Sequence, residues 1–170
     1  MSALQMFRIP SLLVFAIFMV PGVSAGQSSA LVSGPPHVIE GDLIGVGDKR
    51  FRLYAIDAPE KGQICEGKSR PYDCGRIATT GLMDLTAGVD QVTCYPKGVG
   101  RNGAIIALCK DPQGFDLSKQ MLHTGWALAL PDADNQFHRI QEKAQKAKRG
   151  LWKGQVTPPW RWQGNAAQIK

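Results

Sequence analysis

Between Glu40 and Glu60 the chain reads EGDLIGVGDKRFRLYAIDAPE, which spaces three acids, Asp42, Asp57 and Glu60, around one arginine, Arg52. Carboxylate and carbonyl oxygens hold hard cations such as Ca²⁺, and guanidinium forks hold phosphate oxygens. Acids and an arginine brought within a few ångströms therefore suit a phosphodiester-cleaving centre. A second arginine, Arg101, follows in Gly-Val-Gly-Arg-Asn-Gly. His37, His123 and His138 lie far apart, in no ligand spacing and in no pair of the kind that general acid/base ribonucleases use, so they are expected to be structural or surface residues. The chemistry is expected of carboxylates and arginines.

The elements that must position these residues can be read from periodicity. Residues 37–43, 44–46 and 50–56 carry β-branched and aromatic side chains in partial alternation, with Gly47-Asp48 as a turn, and are expected to form a meander. Residues 76–87 have helical period, with Ile77, Leu82 and Leu85 on one side and Gly88 as a stop. Residues 91–95 and 104–108 are expected to pair as a hairpin. Asp116 is expected to cap a short helix over 117–124 that ends at Gly125, and a stronger helix is expected over 137–149, with Phe137, Ile140, Ala144 and Ala147 at core spacing. Five strands with helices inserted and appended suggest an α+β protein, a five-stranded OB-type Greek-key β-barrel with about three helices. That architecture commonly presents one face to nucleic acid.

The first 25 residues carry one charge, Arg8, an apolar run from Ser11 to Val20, and small residues at Val23-Ser24-Ala25. This is the pattern of a secretory signal peptide cleaved after Ala25. As a membrane anchor the apolar run is short against the ~20 residues that span a bilayer. The expected organisation is a signal peptide at 1–25, a linker at 26–36, one domain at 37–152 and a Pro- and Trp-containing tail at 153–170, in a periplasmic or secreted protein. Residues 1–25 contain one of the 20 Lys and Arg and none of the 14 Asp and Glu, so their removal changes the net charge from +6 to +5. A basic chain is consistent with a polyanionic partner.

Cys65, Cys74, Cys94 and Cys109 form no CxxC pair and have no histidine at zinc-finger spacing, so in an oxidising compartment they are expected as two disulfides. Three pairings are possible by count. The hairpin would set the ends of DQVTC and GAIIALC face to face, which favours Cys94 with Cys109 and leaves Cys65 with Cys74.

Five segments carry a resemblance: Val38-Ile39-Glu40-Gly41-Asp42, Phe51-Arg52-Leu53, Ile56-Asp57-Ala58-Pro59-Glu60, Gly100-Arg101 and Lys148-Arg149-Gly150-Leu151-Trp152. In order and spacing they closely resemble the staphylococcal-nuclease-like, or thermonuclease, family over residues 37–152. The resemblance implies that Asp42 and Asp57 hold Ca²⁺ through their carboxylates and Ala58 through its backbone carbonyl. It implies that Glu60 is the base or orienter for the attacking water, and that Arg52 and Arg101 grip the phosphate. Pro59 biases Ala58 toward an extended conformation, which would help fix its carbonyl. The implied activity is hydrolysis of phosphodiester bonds in single-stranded DNA and RNA with low sequence specificity, by a monomer with no stable membrane association once the signal is removed.

The chain also departs from the family's best-known member. Leu43 stands where that enzyme has a threonine, Gly98 and Val99 where it has a lysine and a tyrosine, and a pocket tyrosine falls at about Pro131. Stacking on a base would then be lost or would come from Tyr95 or Trp126. Trp126 and Trp152 otherwise suit packing, whereas Trp160 and Trp162 suit either packing on the barrel or contact with a partner. Lys143, Lys146, Lys148 and Arg149 suit a solvated helix face. The alternative to an enzyme is a non-catalytic OB-fold module that binds nucleic acid or a protein, in which Arg52 simply bridges to Asp42 or Asp57.

Overall fold

A single residue, Pro35, separates strand β1 (Val32–Gly34) from strand β2 (Pro36–Glu40), and that proximity forces the main sheet to curl. The computed structural model describes residues 30–164. Strands β3 (Leu43–Val46), β4 (Lys49–Leu53) and β5 (Ile56–Asp57) follow, then β6 (Ile64–Glu66), β7 (Pro71–Asp73) and helix α1 (Cys74–Thr86). The chain continues through β8 (Val92–Val99), β9 (Ile105–Lys110), α2 (Leu117–Thr124), β10 (Leu128–Ala129) and α3 (Asn135–Lys146). Six strands make one sheet in the order β1-β8-β9-β4-β3-β2. Its two edge strands are the two that Pro35 joins, so the edges must meet, and a Cβ on Gly34 would stand 3.1 Å from Val46 of β3. The result is a curled half-barrel with three helices, the α+β, OB-type class that the pattern predicts.

Alternation along the strands decides which side chains fill the barrel. Phe51 and Leu53 of β4 are buried while Arg52 between them faces the other side, and Val92, Cys94, Ala107 and Cys109 complete the inner layer from β8 and β9. Phe51 and Phe137 are the largest wholly buried side chains, and truncating either to alanine would cost ~3–5 kcal/mol. Asp73 caps α1 by accepting the Arg76 N–H at 2.8 Å, and the helix lays Cys74, Ala78 and Leu82, four residues apart, against the core. Asp116 accepts from Ser118 and Lys119 to start α2, which ends at left-handed Gly125 as expected.

Several boundaries differ from the sequence expectation. Strand β2 stops at Glu40, not 43, because Gly41 and Asp42 form a turn, and that turn is what frees the Asp42 side chain for the site. The hairpin strands run longer than 91–95 and 104–108, with a bulge between Pro96 and Gly98 that absorbs the proline. Helix α3 spans Asn135–Lys146 where 137–149 was expected, since Lys148 at φ 50° turns the chain out of the helix. Strand β1 lies within the 26–36 stretch expected as a linker. In the expected tail, Gln155 pairs with Glu66 at 2.8 and 3.0 Å and the 3-10 turn Pro159–Arg161 folds back on the barrel. Residues 1–25, expected as a signal peptide, lie outside the described residues.

Both expected disulfides are formed. Cys94 and Cys109 face each other in the β8–β9 register, and Cys65 joins Cys74 across a Cα separation of 5.6 Å. No described helix is long and apolar enough to cross a membrane.

Candidate active site

Three tight turns bring Asp42, Arg52 and Asp57 together. In the β3–β4 pairing Arg52 lies opposite Leu43, next to Asp42, and the Asp42 carbonyl accepts the Leu53 N–H at 2.8 Å. The Arg52 side chain then reaches Asp42, with Nη1 2.6 Å from each carboxylate oxygen, while Nη2 stands 3.4 Å from Glu40. Its Nε is buried and has no partner among the described residues. Asp57 enters from β5, held by pairing with Leu128 of β10, close enough to Asp42 for the two carboxyls to act on each other. Ala58 is buried beside them. A Cβ on Gly41 would stand 2.9 Å from the Cβ atoms of both Ala58 and Ala78, so only glycine lets the Asp42 turn sit this close to Ala58 and α1.

The electrostatics are those of two acids crowded into a dry corner. Burial raises the Asp42 carboxyl above the usual range, against the pull of Arg52. Burial, then repulsion from Asp42 and Glu60, pushes Asp57 up to about 7. Burial alone would lower Arg52, but the attraction of Asp42, Glu40 and Glu60 outweighs it and holds the guanidinium above its ordinary value. Glu60 thus acts on both Arg52 and Asp57.

The Glu60 turn is held from below. Gln63, wholly buried, accepts the Glu60 N–H through its side-chain oxygen at 3.1 Å and donates to the Thr157 carbonyl at 2.7 Å. The Gln63 backbone carbonyl in turn accepts the Cys74 N–H, and Gly75 packs so tightly under the Glu60 carbonyl that any Cβ there would overlap it. Arg101 opens the 3-10 turn Arg101–Gly103 between β8 and β9, directly after Gly100, which borders the site. The Arg101 side chain lies outside the described atoms.

A Ca²⁺ ion fits this donor set. Two carboxyls that repel one another, next to the backbone of buried Ala58, supply only hard oxygen donors, and a divalent cation would relieve their mutual repulsion. Among the described residues no group of three or more His, Cys, Asp or Glu is arranged as a metal cage. The protein therefore offers a partial shell, Asp42, Asp57 and the Ala58 carbonyl, and leaves the remainder to water and substrate.

Beside these groups opens a cleft of about 570 Å³ lined by Arg52 and Asp57 together with Ile56, Val99, Ile106, Leu130 and Trp160. Sequence reasoning missed three residues here. Glu40 could have been found, since the meander that places Asp42 beside Arg52 places Glu40 opposite Leu43. Gln63 and Trp160 carry no local signal, because their roles arise from contacts across more than 90 residues of chain or from the folding back of the tail.

A small curled barrel bearing paired acids, an engaged arginine and an open cleft defines an OB-type protein with one site of acids and arginine. The model of the family described as staphylococcal nuclease homologue matches residues 50–154, a span that includes Arg52, Asp57, Ala58, Glu60 and Arg101, and the chain belongs to this family. It is 32% identical over 157 residues to an uncharacterized endonuclease of Escherichia coli, covering 88% of this chain and 94% of that one. It is 26% identical over 178 residues to a micrococcal nuclease of Shigella flexneri, covering 95% and 94%. It is also 28% identical over 134 residues to the succinoglycan biosynthesis protein ExoI of Rhizobium meliloti (strain 1021), covering 77% and 69%.

Proposed function

We propose that the protein is an exported Ca²⁺-dependent nuclease that hydrolyses phosphodiester bonds of single-stranded DNA and RNA with little sequence preference. The observation that carries this reading is the Asp42–Asp57 pair beside Arg52, which lines the same cleft as Asp57 and whose buried Nε has no partner among the described residues. A phosphate oxygen would satisfy that donor. The names of the endonuclease and micrococcal nuclease relatives support the activity, and the two disulfides support export with the signal peptide expected at 1–25.

The residues divide the work as follows. Arg52 exchanges part of its grip on Asp42 for the phosphate, and Arg101, at the hairpin tip, neutralises charge on its equatorial oxygens; losing one such donor commonly costs ~10²–10³ in rate. Glu60 orients the attacking water and takes its proton as the new P–O bond forms and the opposite ester bond breaks. Asp42, Asp57 and the Ala58 carbonyl would hold Ca²⁺, which supplies Lewis-acid polarisation of the phosphate. Gln63 and Gly75 keep Glu60 at a fixed height above α1.

The close engagement of Arg52 by Asp42 and Glu40 favours a second reading, a non-catalytic module in which the arginine is a structural tie. Digestion of single-stranded DNA by the oxidised protein, with Ca²⁺ and then with a chelator, separates the two. Cleavage abolished by chelator supports the nuclease; binding without cleavage under both conditions supports the module.

A further inference from the structure

The turn Pro159–Arg161 carries Trp160 into the cleft that holds Arg52 and Asp57. Of the described residues lining that cleft, Trp160 alone is aromatic. Tyr95 is exposed on β8 but does not border the cleft, and Trp126, the other residue expected to offer a ring, lines a separate groove with Tyr72 and Lys153. We propose that Trp160 is the platform on which a base of the bound single strand stacks, an assignment that rests on the nuclease reading above.

Three observations converge on it. The cleft combines Arg52 and Asp57, which suit a phosphate, with the apolar side chains of Ile56, Val99, Ile106 and Leu130, which suit a base, and its 570 Å³ falls within the ~300–1,000 Å³ of small-molecule sites. Trp160 is 37% exposed although its neighbour Pro159 is buried, so the turn is anchored while the indole is left presented. The anchor is also shared with the Glu60 turn. Gln63 binds the Glu60 N–H with one end of its amide and the Thr157 carbonyl, three residues before Trp160, with the other. The ring is thereby registered to the residue proposed to activate water. Stacking on an indole reads a base's π-face and no hydrogen-bonding edge, so this platform favours unpaired strands and tolerates every base.

The test compares binding of a fluorescein-labelled oligothymidylate with that of an abasic strand of equal length, by anisotropy in chelator, for the oxidised wild type, Trp160→Leu and Trp160→Phe. Cleavage of single-stranded DNA with Ca²⁺ and thermal melts are run in parallel. Leucine keeps apolar bulk but has no ring; phenylalanine keeps a ring. The expected result is a wild-type preference for the base-bearing strand that falls roughly tenfold in Trp160→Leu and is mostly retained in Trp160→Phe. An unchanged preference in Trp160→Leu, or an equal loss in both variants, would overturn the assignment while a cleaving wild type leaves the nuclease reading standing. A wild type that neither binds nor cleaves either strand would overturn both.

Discussion

Arg52 places one nitrogen 2.6 Å from both carboxylate oxygens of Asp42, so the arginine proposed for the phosphate also guards the acid proposed for the metal. A pair that is charge-assisted and partly buried keeps its geometry without ligand, and Arg52 can turn to phosphate only when something else neutralises Asp42. In the proposed mechanism, metal and phosphate would be coupled through this one contact.

Glu60→Gln retains size and most hydrogen-bonding capacity but removes the charge that orients or deprotonates water. Turnover should fall by ~10² or more while the melting temperature stays nearly constant. Steady-state cleavage rates and a thermal melt of the same preparation check this, and near wild-type cleavage would make Glu60 a surface acid.

The acid pair predicts a pH dependence of stability in metal-free protein. Asp57 is raised from 3.8 to about 7 on folding, so the folded chain keeps a proton that the unfolded chain releases near 3.8. The stabilisation from this group is therefore complete below ~3.8 and is lost as pH rises through ~7. In chelator the melting temperature should decline between about pH 4 and about pH 7, the decline should flatten in Asp57→Asn, and Ca²⁺ should raise the melting temperature more at the alkaline end, where no proton competes.

The two disulfides should separate stability from activity. Cys74 opens α1 directly before Gly75, which packs under Glu60, and Cys65 follows Gln63 by two residues, whereas Cys94–Cys109 crosslinks the inner face of the β8–β9 hairpin. Replacing either pair by alanine should cost ~2–5 kcal/mol. Only the Cys65/Cys74 replacement should lower turnover several-fold at temperatures well below its own melting point. Equal activity in both variants would show that the Glu60 turn does not depend on its staple.

Much of this fold was legible because its signals are local. Asp116 and Gly125 bracket α2 as cap and stop, Gly47-Asp48 turns β3 into β4, and the hairpin set Cys94 against Cys109. The juxtaposition of Asp42, Arg52 and Asp57 follows from a short meander and was equally readable. What could not be read depends on distant chain. The pairing of β1 with β8 joins residues about 60 apart, and Gln63 reaches Thr157 across 94 positions. Trp160 reaches the cleft through a tail with no periodicity, held by contacts no window of sequence contains. Gly41 falls inside the strand expected at 37–43 and Gly75 just before the helix expected at 76–87, yet each allows a close approach that only the folded backbone reveals.

The coupling of metal to phosphate at Asp42 and Arg52 is tested most directly by calorimetric titration of Ca²⁺ into the oxidised protein, with and without a mononucleotide. With two carboxylates and one carbonyl from the protein, Ca²⁺ alone should bind weakly, and nucleotide should tighten it by roughly 5–150-fold, with the same factor recovered when nucleotide is titrated in the presence of Ca²⁺. Submicromolar Ca²⁺ binding by the free protein, or Ca²⁺ affinity indifferent to nucleotide, would contradict the site described here.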